Sequence, residues 1–100
     1  MRLILFLAVF SLCPVSLTAA LHSGSVRAAD QFIPGVTVTA RQGGAKLVRF
    51  TDENGRYEFD LTPGTWDITV EMFGFRAVHG EVDGAQDSSH DWTLDRKSVV

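Results

Sequence analysis

The chain has 100 residues, a formal net charge of −3, 45% apolar residues and one cysteine. That combination leaves no room for a multidomain enzyme, a polytopic membrane protein, a collagen-like repeat or a low-complexity segment. Nine Lys and Arg stand against twelve Asp and Glu, with a pI of about 5.4, so no basic field exists to attract phosphate backbones and nucleic acid is not an expected partner.

The first twenty residues read as a secretory signal. Arg2 supplies the positive n-region, and Leu3 to Phe10 with Leu12 forms an apolar h-region bounded by Pro14. The uninterrupted run is much shorter than the roughly 20 residues that cross a bilayer. Thr18, Ala19 and Ala20 make a small-residue exit, which places cleavage after Ala20 and Leu21 at the mature N-terminus. A second possible site follows Ala28, with Val26 and Ala28 in the recognised positions, but the stretch from His22 already reads as a strand. Cys13 follows the bulky Leu12, where a lipid-attachment signal requires a small residue. Removal of residues 1–20 takes away one Arg and the only cysteine, leaving eight bases and twelve acids. A disulfide-free domain of this size must hold itself by core packing, since small domains bury only about 60% of their unfolded surface. The lack of cysteine suits a bacterial periplasmic or surface module better than a small eukaryotic secreted one.

After the signal, period-two alternation predicts short strands. In chain order they are His22 to Arg27, Val36 to Ala40, Lys46 to Thr51, Tyr57 to Leu61, Thr65 to Met72, Phe75 to Val82 and His90 to Leu94. The pattern is strongest in Thr65 to Met72, where Trp66, Ile68, Val70 and Met72 share one face. It wavers in the first, third and sixth segments. Turn signals punctuate the series at Ile33-Pro34-Gly35, Gly43-Gly44, Asn54-Gly55, Thr62-Pro63-Gly64, Gly74 and Asp83-Gly84. Turns at roughly 8 to 12 residue spacing, with no helical pattern, predict a seven-stranded antiparallel sandwich. Asn54-Gly55 suits the positive φ of a tight hairpin, with the Asp52 carboxylate accepting backbone N–H groups. Pro63-Gly64 suits a type II turn.

Thr51-Asp52-Glu53-Asn54-Gly55-Arg56-Tyr57-Glu58-Phe59, then Leu61-Thr62-Pro63-Gly64-Thr65-Trp66, then Phe73-Gly74-Phe75 resembles the carboxypeptidase regulatory-like domain. Ile33-Pro34-Gly35-Val36-Thr37-Val38 resembles that family's opening strand. The resemblance runs from about His22 to Leu94. Its signature residues here are Pro34, Gly35, Thr51, Asp52, Asn54, Gly55, Tyr57, Phe59, Leu61, Pro63, Gly64, Trp66, Gly74 and Phe75. It implies an all-β, prealbumin-like β-sandwich over residues 21–95, between a signal peptide at 1–20 and a tail at 96–100. It also implies an accessory module of larger exported proteins, as at the N-terminus of TonB-dependent outer-membrane receptors. No plug or barrel follows Arg96 to Val100, so the expectation is either a fragment or a module acting alone.

Candidate chemistry is sparse. His22, His79 and His90 lack metal-ligand spacing and read as surface or edge-strand residues. Asp52-Glu53-Asn54-Gly55 resembles the opening of a calcium loop but lacks its further acidic ligands, and reads as a turn cap. Ser88 and Ser89 stand beside His90 and Asp91, yet neighbours on a strand point to opposite faces and no activating turn surrounds them. The expectation is therefore no catalysis, no cofactor and no metal ion. Trp66 and Trp92, which could stack on sugars, fall on the apolar side of alternating strands and read as core. Phe73 and Phe75 are candidates for an exposed patch that meets a partner domain. The expected function is that of a non-catalytic exported module with a structural or interaction role, in the periplasm or at the outer membrane, whose partner is a protein or a following domain. A carbohydrate-binding module is the alternative.

Overall fold

The computed structural model describes residues 20–97; the proposed signal segment before Ala20 and residues 98–100 lie outside the described residues. Eight strands follow in order: β1 Ala20–Ala28, β2 Gln31–Phe32, β3 Thr37–Gln42, β4 Ala45–Phe50, β5 Arg56–Leu61, β6 Thr65–Glu71, β7 Val78–Asp83 and β8 Ser88–Thr93. One sheet has the order β4-β3-β6-β7, antiparallel throughout. In the other, β1 lies in the middle. β5 runs antiparallel along Ala20 to Ser25, β2 continues that edge at Arg27 and Ala28, and β8 lies parallel to β1 on the opposite edge.

The result is the expected all-β sandwich, with two departures. The strand count is eight because β2 adds two residues through a hairpin at Ala29-Asp30, where φ is +50° and +68°. Both angles lie in the left-handed region that a two-residue primed turn requires, but Ala-Asp carries no such signal in the sequence. The second departure is the parallel β1–β8 pair, with His22 opposite Ser88 and Arg27 opposite Thr93. Alternation reports which face a strand buries, not the direction of its neighbour.

Between the sheets lie Val26, Val36, Val38, Ala40, Tyr57, Phe59, Leu61, Trp66, Ile68, Val70, Trp92 and Leu94. β5 and β6 alternate as their sequences require, with Tyr57, Phe59 and Leu61 inward from one sheet and Trp66, Ile68 and Val70 inward from the other. The Trp66 indole N–H donates to the Thr62 carbonyl at 2.8 Å, closing the Thr62-Pro63-Gly64 bend through a side chain. This satisfies the one polar group that the burial of Trp66 would otherwise strand.

The β4–β5 turn carries the most specific motif. Gly55 N–H donates to the Asp52 carbonyl and Asp52 N–H to the Arg56 carbonyl, both at 2.9 Å. The Asp52 carboxylate also accepts Asn54 N–H at 2.8 Å and Arg56 N–H at 3.0 Å. Only Gly55, at φ +72°, takes the left-handed conformation, so the loop is a three-residue turn rather than a two-residue primed one. Gly55 is doubly constrained, because a Cβ there would stand 2.8 Å from Phe32 Cβ and 2.9 Å from the Val26 carbonyl oxygen.

Two stability outcomes follow from this packing. Trp66→Ala empties a site only 3% exposed and should cost about 3 to 5 kcal/mol in urea unfolding. A midpoint unchanged from wild type would place the indole outside the core. Gly55→Val combines a positive φ with a backbone collision and should cost about 2 to 3 kcal/mol, read as a lowered thermal midpoint.

Candidate functional site

Alternation along β1 puts Ala20, His22, Gly24 and Val26 on the core face. A histidine and a glycine there are unusual, and together they build a polar cluster. His22, expected at the surface, is 1% exposed. Its Nδ1 lies 2.8 Å from Ser88 Oγ and its Nε2 lies 2.9 Å from the Tyr57 hydroxyl. Trp92 Nε1–H donates to the same hydroxyl at 2.8 Å. Gly24 makes the space, since a Cβ there would collide with the His90 carbonyl oxygen and stand 2.5 Å from the Tyr57 hydroxyl.

Hydrogen balance assigns the tautomer. Tyr57 accepts from Trp92, so its own hydrogen is best spent on His22 Nε2, and His22 Nδ1–H then donates to Ser88. Every buried hydrogen has a partner in that arrangement. Burial, and secondarily the nearby His90, holds the His22 pKa below its usual value, which favours the neutral ring. Burial likewise pushes the Tyr57 hydroxyl up to about 12, so it remains a donor.

A serine, a histidine and a tyrosine in sequence do not make a nucleophile here. Activation needs an imidazole lone pair facing the serine hydroxyl, and in the tautomer assigned above His22 Nδ1 presents a hydrogen. The nearest carboxylate on β8, Asp91, accepts from Ser25 Oγ at 2.7 Å instead of orienting the ring. His90 is exposed and its ring lies 4.0 Å from that of Trp92. His79 is exposed, with Asp67 3.8 Å away. The Asp52 carboxylate is committed to the backbone N–H groups of Arg56 and Asn54, which lower its pKa. Among the described residues no three His, Cys, Asp or Glu side chains converge as a metal site would require.

The remaining signature residues serve the backbone or the core. Thr51 Oγ1 donates to the Ile33 carbonyl at 2.7 Å and accepts Val36 N–H at 2.9 Å, straddling the Pro34-Gly35 turn. Tyr57, Phe59, Leu61, Trp66 and Trp92 are buried. Gly64 and Gly74 have φ of +117° and +89°, and Gly74 accepts Lys97 N–H at 3.0 Å. Arg96 bridges to Phe75, so Arg96 and Lys97, at the start of the expected tail, are held against the Phe73-Gly74-Phe75 segment.

The opposite character appears at the end of the sandwich where β1, β4, β6 and β8 finish. Phe73 is 99% exposed, Phe50 64% and Phe32 51%. Two adjoining grooves of about 400 and 490 Å3 share Phe75 as a wall; Phe73 and Met72 border the first, Phe32 and Ile33 the second. Arg27 covers one face of Phe32 at 5.6 Å and Arg96 one face of Phe75 at 5.7 Å. The sequence indicated Phe73 and Phe75 through the flanking Gly74, but nothing in it linked them to Phe32 and Phe50.

A family model described as the carboxypeptidase regulatory-like domain matches residues 23–95. The chain belongs to that family, whose domain is regulatory and not catalytic. No curated protein matches the chain. Among solved structures it is similar to a DUF3823 family protein from Parabacteroides merdae, at 13% identity and TM-score 0.66, covering 81% of this chain and 48% of that one. It is similar to catechol 1,2-dioxygenase from Acinetobacter sp. ADP1, at 12% identity and TM-score 0.65, covering 83% and 54%. It is also similar to the Bacillus anthracis TIE protein, at 11% identity and TM-score 0.63, covering 79% of this chain but 17% of that one. Such identities show a shared fold. In each case the chain spans less than two thirds of its neighbour's length.

The lowered His22 pKa makes stability depend on pH with a definite sign. The unfolded state binds the His22 proton more tightly than the folded one, so the contribution is complete above about pH 6.5 and is lost as pH falls toward the depressed folded value. The urea midpoint should therefore drop between about pH 7 and pH 5, and His22→Gln should flatten that drop. An imidazole resonance of His22 titrating at or above 6.5 would overturn the assignment.

Proposed function

We propose that this member of the carboxypeptidase regulatory-like family works as a non-catalytic exported accessory module that docks a neighbouring protein domain through its phenylalanine-bearing end. The setting that best suits this reading is the N-terminal extension of a TonB-dependent outer-membrane receptor, at the periplasmic side of a Gram-negative outer membrane. The observation that carries the reading is Phe73, 99% exposed on the rim of the first of two grooves that share Phe75 as a wall. Isolated exposed apolar residues are ordinary, whereas several gathered at one end of a small domain form a patch that a partner can cover. Hiding one such ring is worth about 2 kcal/mol.

Three further features support a protein neighbour on the same polypeptide. The end is built from strand termini and hydrogen-bonded turns, so its shape exists before binding. Arg96 and Lys97 pass through it, with Lys97 lining the groove beside Phe73. The three solved structures named above are each longer than the region matched. The carbohydrate alternative loses Trp66 and Trp92, both of which are buried with their indole N–H groups occupied, and would have to rest on the phenylalanines.

The test is a photo-crosslinking amino acid placed at position 73 in the exporting cell, with position 85, in the β7–β8 turn at the far end, as control. A defined protein crosslink from 73 and not from 85, mapped by mass spectrometry to an adjoining domain, is the expected result. Equal labelling from both positions would sink the docking reading. Retention of the wild type on a polysaccharide column, abolished by Phe73→Ser, would replace it with the carbohydrate one.

A further inference from the structure

The backbone nitrogen of Leu21 has a partner that a strand does not need. Along β1 the parallel ladder with β8 begins at His22 opposite Ser88. One residue earlier, Leu21 N–H donates to a side chain, Asp87 Oδ1, at 2.9 Å. A carboxylate is a stronger acceptor for a cation than for a neutral amide. Leu21 is also the residue that follows the Thr18-Ala19-Ala20 exit.

Further acidic residues stand on the neighbouring strands and around Asp87. Asp60 on β5 is the register partner of Leu21. The groove that Asp87 lines is bordered by Glu81 and Asp83 of β7, and by Ser88, Ser89 and His90 of β8, with no Lys or Arg among its lining residues. Such a site suits a positive charge better than the uncharged amide it holds in the uncut chain.

We infer that Asp87 receives the α-ammonium group created when the chain is cut between Ala20 and Leu21, an inference that rests on the export reading above. In that step water adds to the Ala20 carbonyl carbon and the Ala20–Leu21 C–N bond breaks. Ala20 departs as a carboxylate on the released segment, and the Leu21 nitrogen takes up protons to become an ammonium. The catalyst is a peptidase of the signal-peptidase class supplied by the exporting cell. The existing 2.9 Å contact then becomes an ion pair that fastens the new N-terminus to the start of β8. The alternative cut after Ala28 would delete β1, the strand that β5 and β8 both pair with, and leave His22 and Val26 missing from the core. The fold therefore assigns the processing junction to the first site and supplies a counter-charge for its product.

The first measurement is the N-terminal mass of the protein recovered after export. A chain starting at Leu21 is expected. A chain starting at Ala29, or at a residue of β1 other than Leu21, overturns the inference while leaving export intact, and an uncut Met1 terminus overturns the export reading with it. The second compares Asp87→Asn with wild type, each matured by export, with a free and with a selectively Nα-acetylated Leu21. Acetylation keeps the N–H donor and removes the charge. Asp87→Asn should lower the thermal midpoint by roughly 1 to 5 °C in the free-amine form, the range of an exposed ion pair in a domain of this size, and by clearly less in the acetylated form. An equal shift in both forms would show Asp87 to be a simple hydrogen-bond acceptor and would overturn the inference.

Discussion

The Tyr57 hydroxyl joins the three long strands of one sheet at a single atom. Tyr57 stands on β5, His22 on β1 and Trp92 on β8, and the hydrogen bonds among them run across the core face of that sheet. Ser88 extends the chain back to β8. A network of this kind contributes little if it is half made, because each unpaired buried member costs about 1 to 3 kcal/mol. Fully made, it fixes register, since slipping any of the three strands by one residue would turn its member of the chain to the outer face. The parallel alignment of β1 with β8 is held in this way.

The second sheet has no comparable polar device. Val38, Ala40, Ile68 and Val70 meet the first sheet through apolar contact alone. Their alignment is instead enforced at the crossovers, where Thr51 ties the β2–β3 connection to the end of β4 and Trp66 ties the β5–β6 connection to itself. With no cysteine after residue 13, these side-chain-to-backbone bonds do at the margins what covalent links do in many small domains.

How legible each part was depends on how local its cause is. β5 and β6 could be read directly, because large apolar residues alternate with polar ones and the buried face is also the apolar one. β1 blurred because its inward residues include His22 and Gly24, chosen for a network whose other members lie far along the chain. β2 was invisible, being two residues long and entered by a turn without Asn or Gly. The Phe73 end was half legible: Gly74 marked the turn, but that Phe32 and Phe50 fall at the same end of the sandwich is a product of topology. Asp87 carried no signal, since a single acidic residue before a strand has many uses and its partner is a backbone atom 66 residues away.

The topology also bears on when the molecule can fold. Of the described strands β1 is the first to be synthesised and β8 the last, yet β1 cannot satisfy one of its edges until β8 arrives. Chains dominated by such distant pairings fold slowly, because closure entropy must be met before the contacts form. The sheet of β3, β4, β6 and β7 can pair before β8 is made, whereas the sheet that carries Tyr57 cannot be completed until β8 is available. Ser88 and Trp92 arrive with that strand, so the Tyr57 network closes only on a chain made through β8 and is the last part of the sandwich to be completed.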